Sequence, residues 1–186
     1  MTYVNLHNKQ HEGITLIETM LVLFLLGVIA TSSTILIKRW INSYKLKATA
    51  QQLMTDFHLA MTEAIRSQSN VAIVFNSDNI TGDNSSYQIF VDDGANGAVA
   101  DNFILEGGNT SHPKEKLLVN RHIPKNIKVY KITFLSNRTG YNPLGFPLHS
   151  LWGAVYLTDN SNFYKMTLIN TGRVKLYFSK DGTNWE

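Results

Sequence analysis

Hydrophobic and polar positions follow three successive patterns along this chain. From Ile14 to Ile37, 24 residues contain a single ionisable side chain, Glu18. At about 1.5 Å per helical residue the run reaches roughly 36 Å, enough to cross a bilayer. Further on, Leu46, Ala50, Leu53, Phe57, Ala60 and Ala64 recur at intervals of four, three, four, three and four. That spacing marks one face of a helix, so the apolar helix is predicted to continue as an amphipathic half to about Ser67. No Pro precedes Pro113, so nothing forces a kink.

Beyond that point the pattern shortens to strands between turn signals. Strands are predicted at Val71–Asn76, Tyr87–Val91, Leu117–Arg121, Ile127–Phe134, Gly153–Thr158, Phe163–Ile169 and Arg173–Phe178. The stretches SDNITGDNSS, DDGANGAVAD, EGGNTSHPKE and NRTGYNPLGFP are rich in Gly, Asn, Asp or Pro and are predicted loops. The expected fold is α+β, a lollipop with one long N-terminal helix packed on a C-terminal antiparallel sheet. It divides into a transmembrane helix at 14–37, an amphipathic helix half at 38–69 and a β-rich head at 70–186.

Composition narrows the chemistry. The chain has no Cys, which excludes a disulfide framework and cysteine-based metal or redox sites. Apart from His7 and His11, near the N-terminus, the six histidines form no HxxxH pair, and metal catalysis is unsupported. There is no GxSxG, P-loop or GxGxxG motif, so no enzyme and no cofactor are expected. The net charge of +3 hides an asymmetry. Val71–Pro113 holds six acids and no Lys or Arg, while Lys114–Lys180 holds eleven bases and two acids. Sequence halves need not be surface halves, however, and folding can mix them. Lys9 alone precedes the apolar run, whereas Lys38, Arg39, Lys45 and Lys47 follow it, which by itself would place the C-terminal part in the cytoplasm.

Glu18 is the anomaly. A carboxylate at a helix centre in lipid costs about 2.5–3.5 kcal/mol, less near an interface, and marks function. Its context, EGITLIE, resembles the processing site of type IV pilins and type II secretion pseudopilins. The resemblance implies a leader at 1–13 and a cut between Gly13 and Ile14 by prepilin peptidase. It also implies N-methylation of Ile14 and a role for Glu18 in filament assembly. The usual first mature residue is Phe, so Ile14 departs from the pattern while staying apolar. After such a cut, the new amine of one subunit can pair with Glu18 of its neighbour, which offsets the desolvation of both. The implied partners are prepilin peptidase, other pilin or pseudopilin subunits and the inner membrane. The head would lie in the periplasm until assembly into a pilus or pseudopilus, and this outweighs the flanking charges.

Two further stretches sharpen the resemblance. KATAQQLMTDFHLAMTEAIRSQSNVAIVF and INTGRVKLYF are similar to the GspH/FimT class of minor pilins and pseudopilins. Ala50, Leu53, Ala60, Glu63, Ala64 and Ile65 carry the first match and the Gly-Arg pair the second. In a strand, Arg173, Lys175 and Tyr177 share one face and Val174, Leu176 and Phe178 the other. FimT-type members use a Gly-Arg-x-Arg motif to bind DNA. The corresponding Gly172, Arg173, Val174 and Lys175 retain the charge but lose one planar fork. With Tyr177, Lys165 and Arg138 they form a candidate DNA-binding set, set against an ordinary exposed strand face. Secreted cargo is the alternative partner if the machine is a secretion pseudopilus. The loop 92–101 invites a calcium reading, but a loop begun at Asp92 has Phe103 where a bidentate Glu belongs, which favours a turn. The rival to all of this is a single-pass membrane-anchored ligand-binding protein that forms no filament.

Overall fold

The computed structural model describes residues 14–76, 85–106 and 115–186, and their side chains except those of residues 30–39 and 96. Gly13 and the rest of the expected leader, together with most of the loops SDNITGDNSS and EGGNTSHPKE, lie outside the described residues. The chain forms two compact units, Met1–Trp40 and Ile41–Glu186. Helix α1, Leu16–Ser67, begins in the first and ends in the second.

In the first unit the apolar side chains from Ile14 to Ile29 are all exposed, from 48% at Val22 to 81% at Leu16. Among the described residues no helix is long and apolar enough to cross a membrane. Residues 30–37 of the expected span have their side chains outside the description.

In the second unit, the face read from sequence is the buried one. Leu46, Ala50, Phe57, Ala60 and Ala64 are fully buried and Leu53 nearly so. One sheet was expected, and two are present. The first is antiparallel in the order β3-β2-β1-β5, from Leu117–His122, Ser86–Val91, Val71–Phe75 and Arg138–Tyr141. The second has the order β4-β6-β7-β8, from Lys128–Ile132, Gly153–Thr158, Phe163–Leu168 and Val174–Ser179. Strand β5 is the element the pattern missed. It lies in NRTGYNPLGFP, whose breakers signal a loop, yet it pairs with β1 from Val71↔Tyr141 to Val74↔Arg138. Gly140 permits the pairing, since a Cβ there would press into the Val71 carbonyl.

One core joins the helix to both sheets. Phe57 of α1 meets Phe75 at 6.4 Å, Phe134 at 6.2 Å and Tyr141 at 6.5 Å between ring centroids. Val155, Leu157, Met166 and Leu168 close the core from the second sheet. A smaller cluster, Ala72, Phe90, Phe103 and Leu148, covers the opposite face of the first sheet. Burial on both faces explains why β1 reads as the unbroken apolar run VAIVF rather than as an alternation.

Candidate functional site

The sequence-derived site residues fall in different places. In the turn before β8, the N–H of Gly172 donates to the Ile169 carbonyl at 2.9 Å, and the Ile169 N–H donates to the Arg173 carbonyl at 3.0 Å. Gly172 has φ +81°, and a Cβ there would run into the Gly145 carbonyl. A glycine is therefore required there by backbone geometry. Arg173 follows it, exposed and one residue before the start of β8. Within β8 the alternation is as read: Val174 is buried, Lys175 is exposed, and Leu176 packs against the core.

The outer face of this sheet carries a row that runs across all four strands. Lys131 of β4 lies opposite Tyr156 of β6, which lies opposite Lys165 of β7, which lies opposite Tyr177 of β8. Cations and rings thus alternate. The Lys165 ammonium sits 5.0 Å from the Tyr177 ring centroid and 5.2 Å from that of Trp185. Trp185 meets Tyr156 edge-on at 5.7 Å, and Tyr156 meets Tyr130 at 5.7 Å. Lys165 is therefore engaged by two π faces, which compete with any phosphate for its charge. The freer cations of this sheet are Lys175 and Arg173. Arg138 is not brought to them. It opens β5 in the other sheet, its guanidinium 5.0 Å over the Phe103 ring.

At the other end of the chain, Ile14 is exposed and Glu18 lies in the first turn of α1. Thr15 precedes the helix, and its hydroxyl accepts the Glu18 N–H at 3.3 Å. Thr15 thus caps the start of the helix through its hydroxyl.

Comparison with known proteins places this geometry in a family. The family described as "Type II transport protein GspH" matches residues 49–172, two thirds of the chain. The chain belongs to the GspH family. The match runs from the packed half of α1 to the turn that ends at Gly172. Among solved structures, the type IV minor pilin FimU of Pseudomonas aeruginosa is similar in fold. One crystal form gives a TM-score of 0.51 at 13% identity over 74% of this chain and 91% of FimU. Another gives 0.49 at 14% identity over 70% and 91%. No curated protein matches the chain.

In this GspH-family head, sequence reasoning missed two polar clusters that fasten α1 to β3 and to the residue just before it. Asp56, nearly buried, accepts the Tyr87 hydroxyl at 2.5 Å, the Gln52 amide at 2.9 Å and the Arg121 Nε at 2.7 Å. Two turns along, Glu63 accepts from Arg66 Nε and Nη2 and from Lys116 Nζ, each at 2.7 Å. Those bonds, Arg66 first, hold its carboxyl at about 2. Burial, then the Asp56 carboxylate, pushes the Tyr87 hydroxyl well above the usual tyrosine range. The available signal was two acids seven residues apart on an otherwise apolar helix face. The loop 92–101 is also explained. Asp92 is fully buried and accepts the N–H of Asp101 at 2.6 Å and of Phe103 at 2.8 Å. It caps its own loop, and among the described residues no group of three or more His, Asp or Glu is placed to hold a metal ion.

Proposed function

We propose that this minor pilin or pseudopilin subunit is made as a precursor, cut between Gly13 and Ile14, methylated at Ile14 and held in the inner membrane by residues 14–37. From there it is built into a filament, its head first facing the periplasm. The observation that carries the reading is a helix whose apolar side chains are exposed from Ile14 to Ile29, with one carboxylate in its first turn. Such a surface needs lipid and then neighbouring helices to cover it, and Glu18 needs a cation once water is gone. Glu18→Ala is expected to leave the subunit inserted and cleaved but scarce in sheared filaments. Normal incorporation would sink the role of Glu18. Gly13→Ala is expected to leave uncut precursor on a gel. The intact mass of the mature protein separates the rival: loss of residues 1–13 plus one methyl group supports a filament subunit, and an uncut N-terminus supports a membrane-anchored ligand-binding protein.

A second reading, DNA contact at the head, is favoured by Arg173 and Lys175, exposed at the start of β8 beside the half-buried Tyr177. It belongs with a type IV pilus rather than a secretion pseudopilus. Duplex binding is expected to fall steeply with salt and to weaken in the Arg173→Ala, Lys175→Ala double variant. Equal retardation of both proteins on a gel overturns it.

A further inference from the structure

One end of the head concentrates positive charge that neither the core nor the β8 face uses. There the packed half of α1 begins and the turn between β3 and β4 meets it, Asn126 Nδ2 lying 3.4 Å from Asn42 Oδ1. Lys45 and Lys47 on the helix and Lys125 in the turn are exposed, beside Arg121 at the end of β3, which is paired with Asp56. Beside them a groove of about 290 Å³ runs between helix and strand, lined by Thr49, Gln52, Tyr87, Arg121, His122 and Pro124 among others. The acids nearby are already committed. Asp56 is enclosed by Gln52, Tyr87 and Arg121. Asp159 and Asp181, in the turns at the ends of β6 and β8, accept N–H groups of those same turns. Tyr44, 73% exposed, adds an amphipathic ring next to Lys45.

We propose that this basic end docks on anionic phospholipid headgroups and seats the head on the bilayer while the subunit waits in the membrane. The inference rests on the anchor reading above. Lys45 and Lys47 lie eight and ten residues past Ile37 in the sequence, after Lys38 and Arg39. Bases that follow an apolar run so closely can reach headgroups along a snorkelling lysine stem. Tyr beside Lys or Arg is the composition of an interfacial anchor, and clustered bases next to a membrane helix attract an anionic leaflet. The reading also gives the bases after the apolar run a task on the periplasmic side, where the flanking-charge rule alone would not put them.

Because the sequence has no Cys, single spin labels can report on the chain in bilayers. Labels at Asn126→Cys, Thr171→Cys and Leu25→Cys are compared in phosphatidylcholine and in phosphatidylcholine with phosphatidylglycerol. Collision of the Asn126→Cys label with a water-soluble nickel chelate is expected to fall about fivefold in the anionic bilayer. The loss should be reversed by about 1 M salt and by Lys45→Gln, Lys47→Gln, Lys125→Gln together. The Thr171→Cys label, in the turn at the far end of β7 and β8, should not respond. Equal access in both bilayers, with the Leu25→Cys label shielded by lipid, overturns headgroup docking and leaves the anchor intact. A Leu25→Cys label open to the chelate overturns both. Release by soluble inorganic phosphate at matched ionic strength would reassign the surface to free anions and also overturn it.

Discussion

At Gly172 the turn requires a φ of +81° and a missing Cβ, so geometry alone accounts for a glycine there. Gly172→Ala should therefore destabilise the head by about 1–3 kcal/mol, read as a lower urea midpoint, while the folded fraction keeps whatever affinity Arg173 and Lys175 provide. A loss of binding with an unchanged midpoint would contradict this. The exposure of Arg173 and Lys175 was legible from an alternation of period two. The engagement of Lys165 was not, because its two rings come from positions 12 and 20 residues away, Tyr177 and Trp185. Glu18 is the opposite case. The Thr15 hydroxyl that meets its N–H stands three residues before it, a contact between neighbours in sequence.

For α1, the intervals of three and four named the six buried apolar residues of its described part, since a helix repeats its surface every 3.6 residues regardless of what covers it. What the helix docks on was decided by Asp56 and Glu63, whose partners Arg121 and Lys116 lie 65 and 53 residues away. Arg121→Ala removes two bonds from a carboxylate that is only 4% exposed, and should cost about 1.5–3 kcal/mol in urea unfolding. Lys116→Ala should cost under about 1 kcal/mol, because its side chain is 59% exposed and Arg66 still holds Glu63. Equal costs would mean that the two clusters are not ranked by burial. Strand β5 escaped the pattern for a related reason. Four residues among Gly, Asn and Pro have no strand signal of their own and become one by pairing with β1.

Across the described head, acids meet partners from distant parts of the sequence. Asp56 of α1 pairs with Arg121 of β3 and Glu63 with Lys116 just before that strand, Asp101 meets His149 at 2.7 Å, and Asp92 is buried among backbone donors. Two carboxyls then act on stability in opposite directions. Glu63, held at about 2 against an ordinary 4.5, contributes stability that is present above about pH 4.5 and lost as pH falls toward 2. The urea midpoint should fall less steeply over that window in Glu63→Gln than in the native chain. Glu115 is 1% exposed, and burial, with Asp92 and Glu106 adding to it, pushes its carboxyl up. Its contribution is present at low pH and lost as pH rises through the raised value, so Glu115→Gln should raise the melting temperature at neutral pH; a lower one would contradict this. The linear chain by itself determined the long helix, its buried apolar face, seven of the eight strands among the described residues and the family, because periodicity and local motifs are properties of neighbours in sequence. Only the tertiary structure decided that the strands divide into two sheets, that Arg138 stands apart from β8, and which acids and bases neutralise one another. Those outcomes depend on contacts between residues tens of positions apart, and no local pattern encodes them.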